Sequence, residues 1–196
     1  ELAEAIFSHG MDPTLDPRWR ESGAETPVEY AYWVNRACGA ACVQMAVEAL
    51  GGPVRPLIEW ARRGSAIGGY LIDIRQDNPH AERSWLHSAL AELIISSGFF
   101  AQPRAGEIDQ VPAWLHAGLL LVASVSYEIG TDLPITRHGG HLVVVHAVEL
   151  QNGQISALHL HNPSGRRAEL RANARIPVER FAAAFSGRVI LAGLPP

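Results

Sequence analysis

From Ala37 to Leu50, apolar side chains fall at Ala41, Cys42, Met45, Ala46, Ala49 and Leu50. That three-and-four spacing predicts one face of a helix, ended by Gly51-Gly52-Pro53. Pro56 to Arg63 predicts a second short helix, stopped by Gly64. Ser84 to Ser97 predicts a third, with Ser84 as its cap, Leu86, Leu90, Leu93 and Ile94 as its face, and Gly98 as its stop. Val111 to Ala117 predicts one more. From Gly118 onward the period changes: Leu119–Tyr127, His141–Leu150, Ile155–Asn162 and Arg188–Ala192 are rich in Val, Leu and Ile and read as strands. Asn152-Gly153 marks a hairpin turn between the second and third, and Ile176 to Phe185 predicts a helix between the third and fourth. Gly68-Gly69 and Asn78-Pro79 mark turns. Ahead of all this, Asp12-Pro13, Asp16-Pro17, Ser22-Gly23 and Thr26-Pro27 predict an extended N-terminal arm over residues 1–29, with one folded domain over 30–196. Helices first, then mostly antiparallel strands, predict an α+β domain of two layers.

The 196 residues are 47% hydrophobic and 18% charged, enough for one well-cored domain and too apolar for a disordered tail. The net charge is −4, and all 16 basic residues are Arg. Without lysine there is no Schiff base, no P-loop lysine and no lysine-rich membrane patch. The only adjacent basic pairs are Arg62-Arg63 and Arg166-Arg167, so nucleic acid is not an expected partner. No apolar stretch reaches the roughly 18–20 residues that span a bilayer. The chain begins with Glu1 and not Met, which suggests a mature or trimmed form whose address is unread. Cys38 and Cys42, four residues apart on one helix, are poorly placed to join. Two free thiols favour a reducing compartment, the cytoplasm foremost. Nothing in the sequence sets an oligomeric state.

The chemistry concentrates at three positions. Cys38 heads the first apolar helix, and a thiol becomes a strong nucleophile as thiolate, which a helix N-terminus and a nearby imidazole promote. Gly39 leaves room for a substrate backbone, and the first-turn amides are suited to an oxyanion. The competing reading is a buried structural cysteine, which suits Cys42 one turn deeper. His141, first in its strand after Gly139-Gly140, is the candidate base; otherwise it is a strand-end histidine satisfied by backbone. His138 reads as loop and His146 as core. Asn162 is the candidate orienter. Positions 141 and 162 lie ten and eight residues from the turn at 151–154, so they are near neighbours with a two-residue offset. Its competing reading is a turn residue before Pro163. His138, His141, His146, His159 and His161 also suggest a metal-dependent hydrolase, though without helical HExxH spacing. Ser164 reads as turn chemistry, no Gly-x-Ser-x-Gly being present.

Taken together, these segments resemble the C39-like branch of the papain-like cysteine peptidases. Cys38-Gly39-Ala40-Ala41-Cys42-Val43-Gln44-Met45 looks like the nucleophile helix, Gly140-His141-Leu142-Val143-Val144-Val145 like the Gly-His strand, and His161-Asn162-Pro163-Ser164-Gly165 like the Asn-Asp-Pro turn. Ile176 to Ala192 is similar to the family's closing helix and strand. The resemblance covers roughly residues 30–194. It implies a papain-like fold, with the nucleophile helix packed on a mostly antiparallel sheet. It also implies a Cys38-His141-Asn162 triad that cleaves peptide bonds through an acyl-enzyme, with a peptide or other amide as substrate and no metal or cofactor. The family usually has Asp where this chain has Asn162, which papain itself also uses. It tends to carry Gln six residues before the nucleophile, where this chain has Tyr32, with Asn35 nearer. Either can donate to an oxyanion. An acyltransferase or cyclase with the same triad, and a non-catalytic peptide-binding module, are the alternatives. Tyr32, Trp33 and Tyr70 are read either as groove or as core.

Overall fold

The computed structural model describes residues 11–72 and 83–195. Among them are six α-helices: α1 Pro27–Val34, α2 Cys38–Ala49, α3 Leu57–Ala66, α4 His87–Ile95, α5 Val111–His116 and α6 Val178–Ala184. The strands are β1 Tyr70–Ile72, β2 Arg83–Trp85, β3 Phe100–Ala105, β4 Leu120–Ser126, β5 Gly140–Gln151, β6 Gln154–His161, β7 Ala174–Pro177 and β8 Phe185–Gly193. β1 and β2 pair alone, and the other six form one sheet in the order β3-β8-β4-β5-β6-β7, antiparallel throughout. No helix among the described residues is long and apolar enough to cross a membrane.

Strand alternation explains where the core sits. On one face Val122, Leu142, Val144 and Ile190 pack under α2, α3 and α4, through Val43, Val47, Trp60, Leu90 and Ile94. On the other, Leu121, Val143, Val145 and Leu160 pack under α5 and α6, through Val111 and Phe181. Helices thus cover both faces, and the expected two layers are three. This is why β4 and the first half of β5 read as unbroken apolar runs and not as alternating ones.

Five local expectations change. The arm expected over 1–29 is not extended where it is described: 3-10 turns at Pro13–Leu15 and Trp19–Ser22 lead into α1. Its residues 1–10, and the turn expected at Asn78-Pro79, lie outside the described residues. Thr26 caps α1 by accepting the Glu29 N–H at 3.1 Å, and Pro27 fills the first position, which needs no donor. Tyr30 Oη donates to buried Asp16 at 2.7 Å and fastens the turns to α1. Gly64 does not stop α3, which runs through it to Ala66. Ser84 caps nothing, because it pairs with Leu71 in the β1-β2 ladder, and α4 begins at His87. Ile176 belongs to edge strand β7, so the helix expected from it starts at Val178. β3, the other edge, carries Pro103 and a mostly exposed sequence, which hid it from a search for apolar alternation.

Candidate active site

Cys38 occupies the first position of α2, after Ala37, which offers no side-chain cap. The first-turn amides are therefore left for the sulfur: the N–H groups of Gly39 and of Cys38 itself, with that of Leu142 on β5, all face Sγ. The turn before it is held from outside. Trp85 Nε1 donates to the Arg36 carbonyl at 2.7 Å. Its indole stacks on Trp33 at 5.9 Å and meets Tyr70 at 5.0 Å. A Cβ on Gly39 would lie 2.6 Å from Trp85 Cγ, and one on Gly64 2.5 Å from its Cζ3. The missing side chain at 39 thus admits an indole, not the substrate backbone expected there. Trp33 and Tyr70 are core, and Cys42 is fully buried beneath Cys38.

His141 follows two glycines with φ of 79° and 91°, a backbone that side chains rarely adopt and that turns the chain sharply into β5. His141 is 6% exposed and Asn162 5%. His141 Nε2 lies 2.8 Å from Asn162 Oδ1, and that oxygen also accepts the Ser164 N–H at 3.0 Å. An oxygen holding a backbone N–H on one side can only accept on the other. Nε2 therefore carries the ring proton and Nδ1 is the free base. Gly130 gives the Asn162 amide its room, since a Cβ there would sit 2.6 Å from Nδ2.

Cys38 and His141 line one cleft of about 570 Å³, with Asn35, Ala41, Met45, Leu57, Tyr127 and Ser164 among its walls. Asn35 reaches it. Tyr32 is not part of it: its ring lies under the Arg36 guanidinium at 4.5 Å and edge-on to Trp33. Of the two oxyanion candidates, the backbone turn brings only Asn35 to the cleft. Burial pushes the Cys38 thiol up, while the three amides pull it down. Burial also pulls the His141 imidazole below its ordinary value, against its hydrogen bond to Asn162. Separately, then, each group favours its uncharged form. Cys42 is pushed well up by burial and by Cys38.

The other histidines take different roles. His146 and His161 stack at 4.6 Å, and His159 bonds Glu149 at 2.8 Å and Asn173 at 3.1 Å. Among the described residues, no three His, Cys, Asp or Glu are grouped to hold a metal ion.

The fold has counterparts among solved structures. A C39-like peptidase from Bacillus anthracis matches with a TM-score of 0.54 at 16% identity, over 82% of this chain and 90% of that one. The peptidase domain of Streptococcus ComA, a bi-functional ABC transporter, matches at 0.51 and 15%, over 82% and 93%. The chain has the C39 peptidase fold. The N-terminal peptidase C39 like domain of a toxin secretion ATP-binding protein from Vibrio parahaemolyticus matches at 0.50 and 11%, over 81% and 97%. No protein-family model and no curated relative matches the sequence.

Two residues of this C39-fold site escaped sequence reasoning. Ser164, taken for turn chemistry, lies 3.2 Å from His141 Nε2 through its Oγ. Trp85, taken for part of a helix, pins the turn before Cys38. Ser164 lies in the turn that follows Asn162, where strand alternation predicts no contact. Trp85 carried no local signal.

Proposed function

We propose that this chain is a cysteine-nucleophile hydrolase of peptide (amide) bonds. The observation that carries the reading is the buried His141 Nε2 to Asn162 Oδ1 bond, in a cleft shared with a thiol at a helix N-terminus. That bond leaves Nδ1 free to take the Sγ proton. The thiolate then attacks the substrate carbonyl carbon, and the carbonyl π pair moves to oxygen. The Cys38 N–H and Asn35 are the donors for that oxyanion. Nδ1–H next protonates the departing amine as the C–N bond breaks, leaving a thioester on Cys38. Water, deprotonated by Nδ1, releases the acid and restores the thiol. Residues 30–196 constitute the peptidase domain in this reading.

Alkylation by iodoacetamide across pH tests the pair without a known substrate. Cys38 is expected to react at neutral pH in the native protein and only in alkaline solution after His141→Ala, as burial alone dictates. A native Cys38 as slow as the His141→Ala variant at neutral pH refutes the pair and leaves a binding module. Cleavage of a mixed peptide library, read by mass, is expected to vanish in Cys38→Ala with its melting curve intact. Products heavier by water mean hydrolysis, and products heavier by an amine mean transfer.

A further inference from the structure

His141 Nε2 has two oxygens in reach: Asn162 Oδ1 at 2.8 Å and Ser164 Oγ at 3.2 Å. Ser164 also gives its backbone N–H to the same Oδ1 at 3.0 Å, so one residue touches both partners. The ladder ends where Val144 pairs with His161, and the chain then turns at Pro163-Ser164, with Ser164 left beside the ring. Asn162 reaches the ring from two residues earlier.

The protons on these atoms are constrained. Oδ1 has none, so Nε2 supplies the hydrogen of the His141–Asn162 bond. Ser164 Oγ faces that same N–H and is its second acceptor, with its own hydrogen directed elsewhere. We propose that Ser164 is a positioning residue for this triad: its hydroxyl oxygen shares the Nε2–H with Asn162, fixes the ring with Nδ1 unprotonated, and favours the imidazolium formed when Cys38 ionises. The inference rests on the peptidase reading. In that ionisation the S–H bond breaks with its electron pair kept on sulfur, and the proton joins the Nδ1 lone pair. Both contacts to Nε2–H then become charge-assisted and strengthen.

The experiment compares Ser164→Ala, which removes Oγ but keeps the N–H that anchors Oδ1, with Ser164→Thr, which keeps both. Iodoacetamide alkylation of Cys38, located by peptide mass, is followed from acid to strongly alkaline pH in folded protein. The Ala variant is expected to lose about tenfold in rate at neutral pH, the scale of one hydrogen bond to a charged group. In strongly alkaline solution, where the thiolate forms without the imidazole, it should match the native rate. Thr should restore the neutral rate. An unchanged ratio of neutral to alkaline rates in the Ala variant overturns the proposal, as does a Thr variant no faster than Ala. His141→Ala, run alongside, separates the two levels. If it slows neutral alkylation while Ser164→Ala does not, only the role of Ser164 falls. If neither variant slows it, the triad falls too.

Discussion

Gly39→Ala is the substitution whose outcome depends most directly on the packing around the turn at Cys38. A methyl there would lie 2.6 Å from Trp85 Cγ, 2.8 Å from Cδ1 and 3.0 Å from Cβ. These atoms are the root of the side chain and not its movable tip, so the whole indole must shift. Overpacking of this kind costs about 1–3 kcal/mol. The shift also strains the 2.7 Å bond to the Arg36 carbonyl, and an orphaned buried acceptor costs about 1–3 kcal/mol more. Against this, Ala gains up to about 1 kcal/mol in helix propensity over Gly. The clash wins, and the net loss expected is about 2 kcal/mol. For a chain of this size that lowers the melting temperature by about 4–8 °C, measurable by circular dichroism. The same substitution made on Trp85→Ala should cost far less, because Cγ and Cδ1, the two nearest atoms, are gone. A Gly39→Ala protein as stable as the native one, or one equally destabilised in both backgrounds, refutes the argument. A loss confined to substrate affinity would restore the view that position 39 makes room for substrate.

Cys42→Ala removes a fully buried sulfur and should cost about 1–2 kcal/mol while leaving neutral alkylation of Cys38 unchanged, as urea titration and peptide mass will report. Acid should weaken the fold in a definite window. His87, His141 and His146 all have values drawn below the ordinary 6.5, in each case chiefly by burial. The unfolded chain therefore binds more protons than the folded one just below pH 6.5, and stability falls from there downward until the folded values are passed. The carboxylates act later: Glu29 and Glu128 are held below 4.5 by their hydrogen bonds, and Glu149 at about 2 by Arg175 and His159. Unfolding free energy that stays level between pH 6.5 and pH 4.5 contradicts this assignment.

What the sequence made legible follows burial and periodicity. α2 and the β5-β6 hairpin were readable because one carries apolar residues at helical spacing and the other an Asn-Gly turn, with Asn152 and Gly153 both at positive φ. The buried face of α2 is nevertheless Ala40, Cys42, Val43, Ala46 and Val47, turned from the expected one, whose Ala41 and Met45 line the cleft and whose Ala49 is exposed. The candidate site residues followed, since Cys38 opens α2 and His141 stands second in β5. Elements at the margin were not readable in the same way. β3 buries only Ala101 and shows no alternation, and β7 alternates buried with exposed over four residues alone, too short a run to stand out. α1 had a signal that Pro27 obscured: Thr26-Pro27-Val28-Glu29 has the cap-and-acid spacing that starts a helix, and the density of prolines before it suggested extension instead. Trp85 and the two glycines that enclose it are far apart in sequence, and no local pattern relates a glycine to an indole elsewhere. Tyr32 and Asn35 were equivalent as donors by residue type. Only the direction of the chain between α1 and α2 separates them.

The six-stranded sheet ends in β3 on one side and β7 on the other, and each contains a proline, Pro103 and Pro177. A proline offers no N–H to a visiting backbone, so both borders interrupt the ladder that an incoming extended segment would try to continue. Two copies of the molecule therefore have poor footing for joining sheet to sheet. Under the proposed function, the same two borders leave the cleft, and not a sheet edge, as the place for a polypeptide substrate.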